Sequence, residues 1–590
     1  MADHQFSIPD YIVFAAMLLI SAGIGVYYAC AGGRQRSTRE FLMADNSMRF
    51  LPLALSVLAS FFSASTLLGT PAEIYQFGSM YWISIIGACL TPVTGALLFG
   101  PMFFTIKVVS VFQYLELRFK SKAVRLFGAF IFLLRTSIGM GIVLFGPSTA
   151  LSAVTGFPEW LVIVLLGAVC MFYTSLGGLK AVVWTDVFQT IVMLGGMLTV
   201  LIMAAVDQGG MDTVWEICDR GDRIKFFDFN PDPRIRHTFW GLTLGIYFVW
   251  LPPYAVDQQM VQRFSSARNL REAKIALLLN APGMFIIITL CSLMGLVLYA
   301  RYAECDPLAD KQINNPNQLL PYFVVDVLGH LEGMSGLFVA SLFSGALSSV
   351  SSMMNSLSAV TWEDFLKLKL SHFSDERATM VTKLLGTVLQ ASLTLNGAAG
   401  APLVGLFILG SGFTSTNWIG ALSGGILGLG VSIWLSVGTY TVKPLDFKLP
   451  TSTLGCNHTG NGTDITTISL PVTQFTSTLE PSTYAPSDPD RLVIGVFTTV
   501  LCGLLISWAT GFNRSEDVPE EYQLRIFKRL SSISCPWFQT TSSSLYTVDD
   551  GIKLEKIQRI EDNEKPKHTE NNVSPKTEAT TTTTDPHTLD

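Results

Sequence analysis

Long uncharged apolar runs recur along most of this 590-residue chain, and they constrain its fold more than any other feature. Only 14% of the residues are charged, against about 25% in an average soluble protein. A run of roughly 18 or more apolar residues is long enough to cross a bilayer as a helix. The sequence therefore predicts an all-α polytopic membrane protein. The runs occupy residues 11–31, 49–70, 80–105, 124–150, 158–178, 183–205, 238–258, 275–300, 333–360 and 491–510, with a less regular apolar region at 379–437.

Basic residues in the loops between these runs predict the topology. They cluster after the first run, between the third and fourth runs, and before the eighth: Arg34, Arg36, Arg39, Lys107, Arg118, Lys120, Lys122, Arg125, Arg263, Arg268, Arg271 and Lys274. Loops rich in Lys and Arg stay in the cytoplasm, and strict alternation of the spans places each of these loops there. Residues 1–10 are then extracellular, residues 11–510 form the transmembrane domain, and residues 511–590 form a charged cytoplasmic tail with the composition of a disordered segment.

The polar loop at 438–490 falls on the extracellular side in this topology. It holds two N-glycosylation sequons, at Asn457 and Asn461. Cys218, Cys305 and Cys456 also lie in loops on this oxidising side, where one pair can form a disulfide and one cysteine is left over.

The region at 379–437 conflicts with this alternation. Residues 361–378 are predicted inside and residues 438–490 outside, so an odd number of spans must lie between them. The region has room for two comfortable helices, and a third would be a span of about 14 residues, below the usual minimum of about 17. Either one helix is short or re-entrant, or a helix's worth of sequence is absent.

Serine is concentrated in the uncharged stretch from Gly336 to Val360. A polar stripe of this kind faces other helices or a wet cavity, where hydroxyl oxygens can replace the water around a small hard cation. The alternative is that small residues let helices pack closely and that each serine bonds its own backbone. The serines recur at spacings of 3, 4 and 4 and so share one helix face: Ser341, Ser344, Ser348 and Ser352, flanked by Gly345 and Ser349.

The second run mixes hydroxyl side chains with helix breakers. Such a mixture in mid-membrane predicts a discontinuous helix whose freed carbonyls can bind an ion. A kink without any ligand is the alternative. The residues concerned are Ser60, Ser63, Ser65, Thr66, Gly69 and Pro71.

Two charged residues fall well within apolar runs. Asp186 costs on the order of 2.5–3.5 kcal/mol to insert, which makes it a functional candidate by default. It also lies close to Lys180 in the sequence, and could simply pair with that base at the membrane edge. Gln189, one turn on, can hydrogen-bond into the same cavity. Arg135 is a candidate partner for an anion, or a residue that snorkels or pairs.

Other function classes lack support in the sequence. No hydrolase, kinase or redox motif is present, and no Walker loop, so the chain is not expected to be an enzyme or to use ATP. The net charge of −6 indicates no nucleic-acid partner. A channel or receptor remains as an alternative to an ion-coupled carrier. Broken helices with oxygens near the midplane favour the carrier.

Four motifs follow one another along the chain: SFFSASTLLGTPAEIYQFG at 60–78, YTSLGGLKAVVWTDVFQ at 173–189, DQQMVQRF at 257–264 and SGALSSVSSMMNSLSAVTWEDF at 344–365. Together they resemble the sodium/solute symporter family, in the branch of the sodium-coupled monocarboxylate, multivitamin and iodide transporters. The resemblance covers roughly residues 8–510. It implies about thirteen transmembrane helices in two inverted five-helix repeats, with broken first and sixth core helices at 49–70 and 238–258.

The same resemblance implies roles for individual residues. The family's sodium site maps onto the backbone oxygens of Ser60 and Ser63 and onto Gly345, Ser348 and Ser349, with Asp186 and Gln189 linked to sodium coupling. This chain has Asp257-Gln258 where the branch usually has Asn-Gln, and Gly139 and Phe145 where it usually has tyrosines. Together with Thr66, those four residues are expected near the substrate pocket.

The implied function is sodium-coupled symport of a small organic anion, a monocarboxylate or vitamin-like carboxylate, across the plasma membrane by alternating access. Sodium is the coupling ion, no other cofactor is implied, and the lipid bilayer surrounds the chain. The region before TVLQASLTLNGAAGAPLVGLF looks shortened, as if most of the family's ninth core helix were missing. Our hypothesis is a splice form or an incomplete gene model, and the alternative function is a transport-inactive sensor or partner subunit.

Overall fold

Apolar helices make up almost all of the protein that the structure describes. The structure is a computed structural model and describes residues 6–30, 38–106, 108–232, 235–367, 370, 378–382, 400–441, 448–456, 488–513 and 518–524. Within these ranges the only β-pairing is an isolated bridge between Met48 and Ala267. Both predicted glycosylation sites, Asn457 and Asn461, and residues 383–399 of the shortened region lie outside the described residues.

The α-helices that position the site are numbered here in chain order. They are α1 Ile8–Cys30, α2 Thr38–Met43, α3 Phe50–Phe61, α4 Ala64–Phe77, α5 Ser84–Thr94, α6 Gly100–Ile106, α7 Val111–Phe119, α8 Lys122–Thr155, α9 Glu159–Asp207, α10 Met211–Arg220, α11 Ile246–Ala255, α12 Gln258–Ser266, α13 Leu270–Leu278, α14 Asn280–Tyr302, α15 Leu319–Leu328, α16 Met334–Val360, α17 Gly400–Gly412, α18 Trp418–Thr441 and α19 Asp488–Ala509.

Seven helical segments in the described part of the chain are long and apolar enough to cross a membrane. The bent pair formed by α3 and α4 makes an eighth if it is one span. The predicted all-α architecture of many apolar helices is therefore confirmed. The count of about thirteen spans and the sides on which the termini lie stay predictions.

The second apolar run is a broken helix, as predicted. Helices α3 and α4 meet at an angle of 59°, and the two residues between them, Phe62 and Ser63, are extended. The Ser63 carbonyl accepts the N–H groups of Thr66 and Leu67 and so starts α4. The break therefore lies before the expected helix breakers, because Pro71 is accommodated inside α4.

The run at 238–258 is also broken, and it continues further than predicted. It opens with a π-helical turn at Gly241–Gly245, continues as α11, and breaks before α12. At the break, the Pro252 carbonyl accepts the N–H groups of both Val256 and Asp257. Asp257 then caps α12, because its Oδ1 accepts the N–H of Gln259 at 2.9 Å.

Two of the predicted runs, 158–178 and 183–205, join without a loop. Both lie in α9, in which Gly178 alone has non-helical dihedral angles, with φ 56° and ψ −158°. A positive φ costs little for glycine, so the chain changes direction at this one residue.

The serine-rich helix α16 occupies the centre of the bundle. In its most apolar stretch of 18 residues, 89% of the residues are buried. The helix packs against α9, α8, α1 and α3. Asp10 holds its first turn, because the carboxylate accepts the N–H of Gly336 at 2.7 Å. At Gly345 a Cβ would lie 3.3 Å from the backbone nitrogen of Ala64, tighter than most Cβ contacts, so glycine lets α16 approach the break between α3 and α4.

The three loop cysteines behave as the sequence predicted. Cys305 and Cys456 form a disulfide, and Cys218 is left as a buried free thiol. Within the predicted tail, the described residues 518–524 contact the bundle. Tyr114 donates to the Tyr522 carbonyl at 2.8 Å, and Leu524 is buried, because these apolar side chains can pack on the bundle.

Candidate functional site

Serine hydroxyls of α16 contact backbone carbonyls at the end of α3. Ser348 Oγ donates to the Ala59 carbonyl at 2.6 Å, and Ser349 Oγ donates to the Ser60 carbonyl at 3.0 Å. The last carbonyls of a helix have no partner within it, and α3 ends at Phe61 because the chain breaks there. The serine stripe therefore supplies donors where the broken helix leaves acceptors free.

These contacts assemble a buried cluster of neutral oxygens. The Gly345 carbonyl belongs to it, because it accepts a hydrogen bond from Ser349 Oγ at 3.0 Å. Ser60, Ser348 and Ser349 are all buried. Carbonyl oxygens at unwound helix breaks coordinate sodium in transporters with broken helices, and the serine hydroxyls add further oxygens beside them. The Ser348 and Ser349 hydroxyls each use their hydrogen to satisfy a carbonyl.

Ser63 and Thr66 lie beside this cluster but outside it. The Ser63 carbonyl is used to start α4, and Ala59 contributes the carbonyl in its place. Thr66 lies in the first turn of α4, just beyond the break.

Asp186 forms a buried ion pair with Arg263. The Asp186 carboxylate accepts hydrogen bonds from Ser56 Oγ at 2.6 Å and from Arg263 at 3.1 Å through one oxygen, Oδ2. The guanidinium also donates to Ser56, Ser60 and Ser352. The Asp186–Arg263 pair therefore ties α3, α9, α12 and α16 together beside the oxygen cluster.

The alternative partner that the sequence offered for Asp186 is wrong. Lys180 lies 3.6 Å from Glu40 instead. The rotation of α9 beyond Gly178 carries Asp186 to the interior, where it is fully buried.

Two buried acceptor oxygens near this pair have no donor within the described residues. They are Asp186 Oδ1 and Gln189 Oε1. The amide nitrogen of Gln189 is directed towards α1, where it donates to Ser21 Oγ at 3.4 Å. A buried acceptor without a donor costs about 1–3 kcal/mol, and a cation at Asp186 Oδ1 would remove that cost.

Of the expected substrate-pocket residues, Asp257 and Gln258 are already engaged within the protein. Asp257 pairs with Arg135 at 3.2 Å. The Gln258 amide accepts from the N–H of Val111 at 2.7 Å and donates to the Val109 carbonyl at 2.8 Å. With both ends of its amide bound to backbone, Gln258 fastens α12 to the start of α7 rather than reaching a ligand.

Gly139 and Phe145 lie in different surroundings although both belong to α8. A Cβ at Gly139 would meet only Met353 Cε of α16, at 4.0 Å, so a small side chain could be added there without a clash. The Phe145 ring is 54% exposed and points away from the face that carries Gly139. The structure therefore does not bring Phe145 to the expected pocket.

Sequence reasoning missed Arg263 as a site residue. Its position among basic residues before the eighth run predicts a cytoplasmic loop, yet every residue of α12 is buried, Arg263 included. The available signal was Asp257, a favoured helix N-cap residue directly before Gln258, which predicts that the helix starts again instead of ending.

Comparison with known proteins identifies the family. The sequence profile described as "Sodium:solute symporter family" matches residues 41–409. Sodium-coupled monocarboxylate transporter 1 of Mus musculus is 41% identical over 86% of this chain and 88% of its own. The chain belongs to the sodium:solute symporter family. The resemblance inferred from the four motifs is thus confirmed, and this symporter family member is a multi-pass membrane protein and not an enzyme.

A second relative and a solved structure are also similar to this chain. The sodium/iodide cotransporter of Homo sapiens is 38% identical over 85% of this chain and 83% of its own. A solved structure of a Na+-coupled sialic acid symporter in a substrate-bound outward-open state superposes with a TM-score of 0.70. It is 23% identical and covers 86% of this chain and 99% of that one. This likeness shows the fold, and it confirms the expected inverted-repeat architecture.

Proposed function

We propose that this symporter carries a small monocarboxylate together with sodium across the plasma membrane. The observation that carries the proposal is the contact of Ser348 and Ser349 with the carbonyls freed by the α3–α4 break. The names of the relatives support the substrate class, since several are sodium-coupled monocarboxylate transporters. Sodium is the coupling ion, and we propose no other cofactor.

Sodium binding would use oxygens that the protein already holds together. The hydroxyl oxygens of Ser348 and Ser349 would direct their lone pairs to the ion. The carbonyl oxygens that now accept hydrogen bonds from these serines would bind the ion instead; they belong to Ala59, Ser60 and Gly345. Because these oxygens come from both α3 and α16, the ion stabilises the arrangement in which the two helices meet. A ligand shifts a conformational equilibrium only through such differential affinity.

Transport also requires contacts at the far end of α16 to open. Asp364 there accepts hydrogen bonds from Arg125 at 2.6 Å and from Ser110 at 2.5 Å. Gln113 donates to Glu363 at 2.7 Å. We assign this end to the cytoplasm from the positive-inside pattern, with the amino terminus outside and the carboxyl terminus inside. These polar contacts form the inner gate that separates before sodium and substrate leave.

The membrane potential would help to drive the cycle. It contributes about 2.3 kcal/mol per elementary charge per 100 mV. Two or more sodium ions moving with one monoanion carry net positive charge inward, so transport is electrogenic.

Voltage clamp of cells that express the full chain tests the proposal. We expect an inward current when lactate, propionate or nicotinate is added in sodium medium, and no current after sodium is replaced by choline. A current that persists in choline contradicts sodium coupling. Normal surface protein with no current and no uptake for any anion of a broad panel favours the alternative of a transport-inactive member.

A further inference from the structure

Two ion pairs meet at the start of α12. Asp257 pairs with Arg135 of α8 at 3.2 Å, and Arg263 pairs with Asp186 of α9 at 3.1 Å. Both pairs are tied to Gln259, because its N–H donates to Asp257 Oδ1 at 2.9 Å and its carbonyl accepts from Arg263 at 3.2 Å. The four side chains are therefore one network of two acids and two bases.

A second sodium ion, bound at Asp186 beside the oxygen cluster, would compete with Arg263 for that carboxylate. Asp186 Oδ1 has no donor among the described residues and is fully buried, so it is the free acceptor of the network. Two cations beside one buried carboxylate repel each other strongly at short range. Asp257, the N-cap of the helix that carries Arg263, is bonded to the same Gln259 and is a second acid to which Arg263 can turn.

Arg135 is the member of the network that a substrate can reach. Its side chain is 29% exposed, whereas the other three are almost fully buried. One of its nitrogens contacts Asp257, which leaves guanidinium donors for a second carboxylate. Gly139 lies one turn away on the same face of α8 and has no side chain, and even an added Cβ there would have only Met353 Cε nearby, at 4.0 Å, so this flank of Arg135 is not crowded.

We propose that an ion-pair exchange through α12 couples sodium binding to anion binding. Sodium takes Asp186, Arg263 turns from Asp186 to Asp257, and Arg135 leaves Asp257 to bind the substrate carboxylate. Three positive charges then face three negative charges, so the interior stays neutral. A guanidinium can hold a carboxylate through two parallel hydrogen bonds. The inference rests on the proposed sodium-anion symport and deepens it, because it names Arg135 as the residue that recognises the anion.

The exchange makes opposite predictions for two substitutions. In Asp257→Asn, Arg263 has no second acid and stays on Asp186, so sodium binds more weakly. Asparagine remains a good helix N-cap, which preserves the start of α12. In Arg135→Gln, Asp257 is free to take Arg263, so sodium binds more tightly while the anion is lost. We expect each shift in sodium affinity to be about 5- to 150-fold, the usual range for coupling between two sites.

The experiment measures thermal stabilisation of the purified full chain by sodium chloride, against choline chloride, first without a carboxylate and then with lactate. The matched control is Asp306→Asn, because Asp306 is also buried and bonds Tyr75 and a loop N–H far from the network. A purely structural role predicts weaker sodium binding in both network variants, and that result overturns the exchange. Equal sodium affinity in all the variants also overturns it.

The lactate arm separates this inference from the proposed function. In the wild type, sodium should raise the affinity for lactate. In Asp257→Asn, the ratio of lactate affinities with and without sodium should fall towards one, because Arg135 no longer has to be released from Asp257. Lactate enhancement that is unchanged in Asp257→Asn contradicts the exchange alone. A wild-type chain that responds to sodium but to neither lactate nor any other monocarboxylate contradicts the proposed substrate class, while the opposite sodium shifts still support the exchange.

Discussion

Ser348→Ala tests the proposed sodium site most sharply. The hydroxyl of Ser348 is buried and donates to the Ala59 carbonyl at 2.6 Å. Its loss removes one oxygen from the ion, and a hydrogen-bonding contact to a charged group is worth about 1.5–3 kcal/mol. At about 1.4 kcal/mol per tenfold change in affinity, half-saturating sodium should rise roughly 10- to 140-fold. Loss of the second hydroxyl in Ser348→Ala with Ser349→Ala should abolish sodium-dependent uptake.

The assay is a sodium titration of the substrate-induced current, with surface protein measured by biotinylation. Ser356→Ala is the matched control, since Ser356 is equally buried on α16 but donates to the Met353 carbonyl of its own helix at 2.8 Å. We expect this control to keep the wild-type sodium dependence. Half-saturating sodium within about twofold of the wild type in Ser348→Ala, at normal surface levels, refutes the assignment.

Two other predictions concern stability and thiol chemistry. Asp186→Asn leaves Arg263 buried without its carboxylate, which costs about 3–5 kcal/mol of folding free energy. Adding Arg263→Gln to this variant should restore part of the lost melting temperature but no sodium-dependent transport. If the single and double variants lose the same stability, the Asp186–Arg263 ion pair is not what stabilises the protein there. In intact cells, Cys305→Ser should make Cys456 reactive to an impermeant maleimide, as mass shifts would show. Cys218 should stay unlabelled because burial raises the pKa of its thiol to about 12; labelling of Cys218 in the unreduced wild type contradicts its burial.

The features that the bilayer imposes were predictable from the sequence. A helix with four serines at spacings of 3, 4 and 4 has to turn them inward, and α16 does so. Asp186 stands out because a carboxylate inside an apolar run is costly, and it is fully buried in the structure. Hydroxyl side chains and helix breakers in the second run also predicted a broken helix. The observed break at Phe62 and Ser63 lies before the breakers Gly69 and Pro71, which are inside α4.

Pairings between distant segments were not predictable in the same way. Arg263 follows an apolar run and looks like a loop residue, and only the return of α12 into the bundle brings it to Asp186 of α9. Gln258 adjoins the expected pocket in the sequence, yet its amide is used by the backbone before α7. Phe145 and Gly139 share one run, and the helical period separates their faces. Local patterns specify faces and breaks, whereas partners depend on packing among segments far apart in the chain.

Simultaneous measurement of sodium and lactate fluxes into proteoliposomes that contain only this chain tests the central claim most directly. The account predicts that each flux requires the other, and that an imposed inside-negative potential accelerates both. Sodium flux without lactate would show a leak or channel and would contradict coupling at the α3–α16 site. Lactate flux that ignores sodium, or no flux of lactate or any other monocarboxylate from a folded chain that binds sodium, would contradict the proposed symport.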